Sequence, residues 1–181
     1  MTRVVGGEGA AFGIVVERYQ DRLYNAIYRL IGSPEDARDL LQDTFVKAYE
    51  NLGGFRGGSS LYTWLFRIAV NTTLSHRRKR RVAPAASPSA DEDDPATVDC
   101  LPDIGAPDPA DPLVSAETEA AVQAAIDSLG EEHRTVVVLR DIQDFDYQEM
   151  AEILDVPTGT VKSRLHRARL VLKDKLEPLF K

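Results

Sequence analysis

The sequence predicts an all-α protein made of two small helical domains joined by a disordered acidic linker. Apolar residues recur at steps of three and four in both halves of the 181-residue chain, and no alternating strand pattern intervenes. Between the halves, residues 82–115 contain seven prolines, eight acidic side chains and no aromatic or basic residue. Because such a stretch buries too little apolar surface to offset the entropy of ordering, we expect it to be disordered. The domains are therefore assigned to residues 9–81 and 116–178.

Three helices are predicted in the first domain. Gly32 marks the end of the first helix, Ser33 and Pro34 form the N-cap and first turn of the second, and Gly53 ends the second. A third helix follows the loop 55–60 and runs to about residue 81. The residues expected in the core are Phe12, Val15, Tyr19, Leu23, Ile27 and Leu30, then Ala37, Leu41, Phe45, Ala48 and Leu52, then Leu61, Leu65, Ile68 and Thr72.

The second domain is predicted to end in a helix-turn-helix. Ser115 is expected to cap its first helix, and a second helix follows over about 131–142. Within it, the run 136–139 is compatible with a short strand, but its charged flanks favour a buried helix. Asp146 and Glu149 match a capping box at the start of a short helix, which a longer basic helix follows. This order of helices is typical of DNA-binding domains.

The net charge of −7 is unevenly distributed along the chain. Residues 1–81 carry 13 basic and 8 acidic side chains, whereas the linker is purely acidic. Basic patches lie at 77–81 and 162–175. Because local potential, rather than net charge, attracts a polyanion, both patches are candidates for binding nucleic acid. The acidic run 91–94 of the linker is in turn a candidate for screening them in the free protein.

The last helix presents a face suited to duplex DNA. A stripe of apolar residues defines its inward side: Val161, Leu165, Ala168 and Leu172. The opposite face and its flanks carry the candidate DNA-reading residues Lys162, Ser163, Arg164, His166 and Arg167. In a major groove, arginine and lysine donate to guanine edges, and flanking cations contact phosphates. A solvated charged face is the alternative interpretation.

A narrow polar and aromatic band follows the third helix at steps of three and four. Its members are Trp64, Arg67, Asn71, Ser75 and Arg78. The band leads into the cationic run at 77–81. Such a surface suits unpaired bases, which need stacking partners and edge-reading amides beside a phosphate strand. For Trp64, a place in the core is an equally good interpretation.

Other features favour a cytoplasmic protein without enzymatic activity. Cys100 is the single cysteine, which rules out an internal disulfide and fits a reducing compartment. The three histidines lie on separate helices without metal-ligand spacing, and no glycine-rich phosphate loop occurs, so no metal or cofactor is expected. No stretch approaches the roughly 18 apolar residues of a membrane span, and the first residues lack a signal-peptide pattern. Membrane insertion is therefore not expected.

Three sequence blocks occur in a specific order along the chain. They are DLLQDTFVKAY at 39–49, FRG at 55–57 with YTWLFRIAVN at 62–71, and GTVKSRLHRAR at 159–169. In this order they resemble the extracytoplasmic-function (ECF) sigma factors, the two-domain specificity subunits of bacterial RNA polymerase. The resemblance implies that the first domain is a sigma region 2 helical bundle and the second a sigma region 4 helix-turn-helix.

The resemblance also implies a role for each surface. The outward residues of the second helix, Asp39, Gln42 and Asp43, would face the clamp helices of the largest polymerase subunit. The loop 55–60 with Asn71 would capture a flipped base of the minus-10 element, a step that costs a few kcal/mol. The residues assigned to that element are Phe55, Arg56, Trp64, Arg67, Asn71 and Arg78, and those assigned to the minus-35 element are Lys162, Ser163, Arg164, His166 and Arg167.

The expected function is therefore that of a sigma factor, which binds core RNA polymerase and directs promoter-specific initiation. Its implied partners are core polymerase, promoter DNA in duplex and melted form, and an anti-sigma factor. A stand-alone helix-turn-helix regulator would leave the first domain without a purpose. A decoy that only sequesters an anti-sigma factor would not need exposed cations on the last helix, and an enzyme would need a site that the sequence does not contain.

Overall fold

The computed structural model describes residues 9–82 and 112–177, and within these two ranges every regular element is helical. The α-helices are α1 (Gly9–Ile31), α2 (Pro34–Glu50), α3 (Leu61–Val82), α4 (Pro112–Asp127), α5 (Glu131–Val137), α6 (Tyr147–Leu154) and α7 (Thr158–Leu176). A 3₁₀ turn at Leu52–Gly54 follows α2, and a π-helical turn at Val138–Ile142 extends α5. Residues 83–111 of the predicted linker lie outside the described ranges. These residues include the acidic run 91–94, which was suggested to screen the basic patches.

The junction between α1 and α2 forms as the sequence predicts. Gly32 follows Ile31 with a φ of +79°, a conformation that favours glycine. The Ser33 hydroxyl accepts a hydrogen bond from the Asp36 backbone N–H at 3.3 Å, so its role as N-cap is confirmed. A side chain at position 32 would also meet the second domain, because its Cβ would lie 3.2 Å from an Asp127 carboxylate oxygen.

Helix α2 differs from its prediction in two details. It ends at Glu50 with Asn51 as C-cap, and the 3₁₀ turn that follows contains Gly53, the residue expected to end the helix. The fully buried leucine is Leu40, and Leu41 is only half-buried, because the inward stripe runs through Ala37, Leu40, Thr44 and Ala48. The other predicted core residues of this domain are buried or half-buried.

In the second domain, the predicted cap at Ser115 is wrong. Helix α4 begins at Pro112, three residues earlier, because the fixed φ of proline suits a first helical turn. Residues 112–115, which the prediction placed in the linker, are part of this helix. The run Val136–Leu139 is helical and buried, which confirms the helical alternative. The capping box is also confirmed: the Asp146 carboxylate accepts from the Glu149 N–H at 2.8 Å, and the Asp146 N–H donates to the Glu149 carboxylate at 3.0 Å.

The two domains pack against each other through α3 and α6. Phe145, which precedes α6, is buried, and its ring stacks on Tyr62 and meets Phe66, with ring centroids 4.8 Å apart in both pairs. The Tyr62 hydroxyl donates to the Gln143 side-chain carbonyl at 3.3 Å, and the Thr63 hydroxyl donates to a Glu149 carboxylate oxygen at 3.4 Å. Burial raises the pKa of Tyr62 to about 12, so this phenol remains a donor at neutral pH.

A second contact between the domains joins α5 to the end of α1. The buried Arg134 guanidinium donates to the Leu30 carbonyl at 3.0 Å and forms an ion pair with Asp127 at 3.0 Å. Burial, with the nearby charge of Arg77, holds the pKa of Arg134 below its ordinary value. At the edge of this contact, the Arg29 guanidinium lies 2.7 Å from a Glu119 carboxylate oxygen. This part of the interface is polar.

Candidate nucleic-acid interface

The outer face of α7 carries most of the residues predicted to read duplex DNA. All four predicted inward residues are buried: Val161, Leu165, Ala168 and Leu172. Lys162, Ser163, His166 and Arg167 are exposed on the opposite side. Four residues capable of hydrogen bonding therefore share one accessible helix face. This geometry is the one needed to enter a major groove.

Arg164 differs from its neighbours because it contacts another part of its own domain. Its guanidinium lies 2.7 Å from a Glu132 carboxylate oxygen of α5, and its side chain is 23% exposed. Arg169 likewise forms an ion pair with Asp141, whose hydrogen bond raises the pKa of the arginine above its ordinary value. Each of these arginines therefore already contacts a carboxylate of its own domain.

Tyr147, at the start of α6, is a residue that the sequence reasoning missed. The Lys162 amine lies 5.5 Å from the centre of its ring, and the Arg140 guanidinium lies 5.4 Å from it. Arg140 also donates to the Phe145 carbonyl at 2.7 Å. Cations near an aromatic face are attracted to it. The Tyr147 ring thus contacts both Arg140 and Lys162 at the junction of α6 and α7.

The band on α3 forms an exposed ridge, as the sequence predicts. Arg67, Asn71, Ser75 and Arg78 are all exposed. Trp64, for which the sequence left a core position open, is half-buried. Its ring packs against Phe55 with centroids 5.3 Å apart. The tryptophan is therefore held in place by the loop while one side of it stays accessible.

An open cleft of about 350 Å³ lies beside this ridge, and we call it the interdomain cleft. The first domain contributes the aromatic and basic wall, which includes Phe55, Arg56, Trp64 and Arg67. The second domain contributes two acidic residues, Glu152 and Asp155. The sequence predicted the first wall from the loop and the helix band. It contained no local signal for the second wall, which comes from about 90 residues further along the chain.

The basic run at 77–81 is divided between structural contacts and exposed charge. Arg77 donates to the Leu30 carbonyl at 2.8 Å, at the carboxyl end of α1, where a cation is favourable. Arg80 lies 2.6 Å from an Asp36 carboxylate oxygen, and Arg81 lies 3.9 Å from Glu131. Arg78 and Lys79 are exposed. Arg80 and Arg81 also remain exposed, so only Arg77 of the expected cationic rim is half-buried.

The acidic face of α2 is exposed, and it includes apolar side chains. Asp39, Gln42 and Asp43 are all exposed. Beside them Val46 is 51% and Tyr49 is 47% exposed. These two side chains add apolar area to the charged face. The resemblance assigned only the three polar residues of this face to polymerase.

Within residues 9–82 and 112–177, no three His, Cys, Asp or Glu side chains converge as a metal site would require. Over the same residues, no helix combines the length and apolar character needed to cross a membrane. Cys100 lies outside the described ranges.

Comparison with family models gives a match for each domain. Residues 15–82 match the model described as Sigma-70 region 2, and residues 119–172 match the model described as Sigma-70, region 4. Relatives with similar sequences span nearly the whole chain. The RNA polymerase sigma-H factor of Pseudomonas aeruginosa is 38% identical over 181 residues, which cover 99% of this chain and 93% of the relative. The ECF RNA polymerase sigma-E factor of Haemophilus influenzae is 37% identical over 182 residues, which cover 98% and 94%.

Two solved structures share the arrangement of the helices. CnrH in complex with the cytosolic domain of CnrY superposes with a TM-score of 0.71 at 26% identity, covering 98% of this chain and 94% of the other. The sigma factor RpoE in complex with the anti-sigma factor NepR, from Bartonella quintana, superposes with a TM-score of 0.70 at 27% identity, covering 92% and 97%.

Proposed function

The chain belongs to the sigma-70 family, in its ECF group, and on this premise we propose how its surfaces divide the work of promoter-specific transcription initiation. It is a sigma factor that binds core RNA polymerase and promoter DNA. In the proposal the second domain reads the minus-35 element as duplex. The first domain binds the polymerase and traps melted bases of the minus-10 element. The observation that carries this division is that each domain has one exposed ridge suited to a different form of DNA.

The minus-35 element is assigned to the outer face of α7. Lys162, Ser163, His166 and Arg167 are exposed there and supply donors and acceptors for base edges. Arg164 is assigned to phosphate contact instead, because its ion pair with Glu132 holds it at the side of the helix. Tyr147 supports Lys162 in this arrangement. These assignments rest on exposure and on the helix-turn-helix order.

The minus-10 element is assigned to α3 and the loop before it. Flipping a base out of a duplex costs a few kcal/mol, so a preformed pocket favours the melted state. Phe55 and Trp64 offer aromatic surface for stacking, and Asn71 offers an amide for a base edge. Arg56, Arg67 and Arg78 are exposed cations for the phosphates of the same strand.

Core polymerase is assigned to the outer face of α2. The three polar residues Asp39, Gln42 and Asp43 provide charge complementarity to a basic partner surface, and Val46 and Tyr49 provide apolar area. The clamp helices of the largest subunit are the proposed contact. An anti-sigma factor is a further partner, as it is for the sigma factor RpoE whose complex with NepR has this fold.

The relatives of this chain are sigma factors, which are not enzymes. We extend this to the present chain and propose that it has no catalytic activity of its own. Because its partners in initiation are polymerase and chromosomal DNA, we also propose that it acts in the cytoplasm.

Run-off transcription with bacterial core polymerase on a genomic library tests the proposed function. We expect defined transcripts only when this protein is added to the core enzyme. Co-elution of the protein with core polymerase on gel filtration is the matching binding assay. Absence of both the transcripts and the co-elution would contradict the proposal.

A further inference from the structure

Helix α5, with the π-helical turn that extends it, packs beneath the proposed DNA-reading helix α7 and carries a carboxylate near each end. Glu132 lies in the first turn of α5, and Asp141 lies in the π-helical turn. Glu132 forms an ion pair with Arg164, and Asp141 forms one with Arg169. At 100° per residue, the two arginines are about 140° apart around α7, one on each side of its buried stripe. Each flank of α7 therefore has one arginine that is held by a carboxylate from below.

The Asp141 carboxylate holds Arg169 by one edge of its guanidinium. Nε donates to Oδ2 at 3.2 Å, and Nη2 donates to Oδ1. A guanidinium has five N–H groups, so three of them remain for another acceptor. The structure gives this guanidinium no other hydrogen bond among the described residues, and its side chain is 51% exposed. The opposite edge of Arg169 is therefore accessible while the ion pair is intact.

On the other flank, Arg164 is held by fewer hydrogen bonds. Its Nη2 donates to one oxygen of Glu132 at 2.7 Å, and the other four N–H groups have no hydrogen bond within the described part of the chain. The two ion pairs are thus alike in arrangement, but Arg169 is the more firmly oriented of the two arginines.

A helix that lies in a major groove has a phosphate strand on either side. The groove is about 12 Å wide, which is roughly the diameter of a helix with its side chains. The flanks of α7 would therefore face the two groove walls. A phosphate oxygen can accept from the free edge of Arg169 while Asp141 holds the other edge. A base edge on the groove floor is different, because the guanidinium would have to turn away from Asp141 to reach it.

A carboxylate near DNA has two opposing effects on affinity. It repels phosphates and reduces the net charge of its arginine, which weakens binding. It also fixes a long side chain that would otherwise lose rotamer freedom on binding, and this strengthens binding. At Asp141 the second effect is favoured, because this side chain is 33% exposed and comes from beneath α7, whereas Arg169 is 51% exposed. An approaching phosphate therefore meets the guanidinium first.

We propose that Asp141 and Glu132 are positioning residues of the DNA interface: they hold the guanidinium groups of Arg169 and Arg164 in place to bind phosphates on the two walls of the major groove. The inference rests on the proposed function, because that function assigns α7 to duplex DNA. It adds two acidic residues to an interface whose other assigned members are basic or polar. Because phosphate contacts carry no base preference, the effect extends to duplexes of any sequence.

Replacing Asp141 by alanine separates the two effects. Asp141→Ala removes a negative charge, so a purely electrostatic role predicts tighter binding of DNA. The positioning role predicts weaker binding, by roughly threefold, because Arg169 loses its fixed orientation. Asp141→Glu keeps a carboxylate and should retain most of the wild-type affinity. Asp174→Ala is the matched control and should not weaken binding, because Asp174 is an exposed carboxylate of α7 without an ion pair among the described residues.

The measurement is fluorescence anisotropy of the full-length protein with a fluorescein-labelled duplex of scrambled sequence, titrated at several salt concentrations. Loss of one phosphate contact reduces the slope of log affinity against log salt concentration by about 0.9. Asp141→Ala should reduce this slope, as Arg169→Gln does, whereas removal of a repelling charge would make it steeper. Thermal unfolding of each variant checks that the fold is retained.

A double-variant cycle shows whether Asp141 acts through Arg169. In the Arg169→Gln background, Asp141→Ala should cause no further loss of affinity. The same cycle with Glu132→Ala and Arg164→Gln should show a smaller loss, roughly twofold, because a single hydrogen bond holds that pair. Tighter binding by Asp141→Ala, or an equal loss with and without Arg169, would overturn the inference.

The outcome is separable from that of the proposed function. The cycle uses the free protein and a duplex without promoter sequence, so it needs neither core polymerase nor a known promoter. If the protein does not bind core polymerase while the cycle gives the expected result, the proposed function fails and the positioning role stands. If transcription proceeds with core polymerase but Asp141→Ala binds DNA more tightly than the wild type does, only the positioning role fails.

Discussion

The arginines of α7 differ in what they contact, and this difference indicates which of them is the better candidate for a base contact. Arg164 and Arg169 are engaged by Glu132 and Asp141, whereas Arg167 is exposed and the structure shows no ion pair for it among the described residues. A side chain that is already paired gives up a contact when it binds DNA. An exposed one does not, so Arg167 is the better candidate for a base contact.

Arg167→Ala is expected to weaken binding of the cognate minus-35 duplex by about 1–3 kcal/mol and to relax base preference at one position. Arg164→Ala should weaken binding by a smaller amount that is similar for all sequences, because a phosphate contact carries no base preference. Anisotropy titrations of the holoenzyme with promoter duplexes that carry single base changes distinguish the two. Equal losses across all sequences for Arg167→Ala would contradict its assignment.

Asn71 lies on the exposed ridge of α3 and is expected to act only after the duplex opens. Asn71→Ala should therefore reduce open-complex formation much more than closed-complex binding. Permanganate footprinting of unpaired thymines measures the first, and gel-shift assays measure the second. Gln20→Ala, which removes an exposed amide from α1 outside the ridge, is the control. The assignment fails if Asn71→Ala melts the promoter as the wild type does.

At the scale of the secondary-structure element, α6 depends on its capping box. The Asp146 carboxylate accepts from the N–H groups of Gln148 and Glu149 at 2.7 and 2.8 Å. Asp146→Ala should lower the free energy of unfolding by about 1 kcal/mol, since it leaves two amide donors at the helix start without their side-chain acceptor. Gln148→Ala, on an exposed side chain, should change it by less than about 0.5 kcal/mol. Urea unfolding followed by circular dichroism measures both.

The polar face of helix α2 is exposed to solvent, and we propose that it contacts core polymerase. Asp43→Lys reverses a charge there and should reduce the affinity for core polymerase, mainly through slower association. Asp21→Lys makes the same charge change at an exposed residue of α1 and should have little effect. Surface plasmon resonance with immobilised core enzyme records both rates. A similar loss in both variants would point to net charge and not to this face.

At the scale of the whole molecule, contacts between residues far apart in sequence hold the two domains together. Arg29 on α1 pairs with Glu119 on α4 at 2.7 Å and donates to Gln123 at 3.0 Å. Neither charged residue is assigned to DNA or polymerase. A variant of this pair can therefore weaken the packing of the domains without altering either proposed binding surface.

Arg29→Glu is expected to weaken the packing of the two domains, because it places two carboxylates against each other. The double variant Arg29→Glu with Glu119→Arg should restore the packing, since it restores the ion pair. Trp64 is the only tryptophan and lines the interdomain cleft, so acrylamide quenching of its fluorescence reports opening. Quenching should be stronger in the single variant than in the wild type, and it should return to the wild-type level in the double variant. Arg18→Glu, an exposed charge on the same helix, is the control and should leave quenching unchanged.

Local features of the fold and the site were predictable from the sequence alone. The N-cap at Ser33, the capping box at Asp146 and the inward stripe of α7 depend on residues within a few positions of one another. Hydrogen bonds and periodicity at that range follow from residue type and spacing. The expectation at Ser115 failed because proline and serine both start helices, and Pro112 comes first.

What only the tertiary structure decided is which groups are engaged and which stay accessible. The sequence predicts five cations at 77–81, but three of them contact Leu30, Asp36 and Glu131. The interdomain cleft likewise joins residues more than 80 positions apart, because its acidic wall comes from the second domain. The same is true of the ring contact between Phe145 and Tyr62. Residue spacing carries no information about such contacts, because the packing of whole helices, rather than any local preference, brings these side chains together.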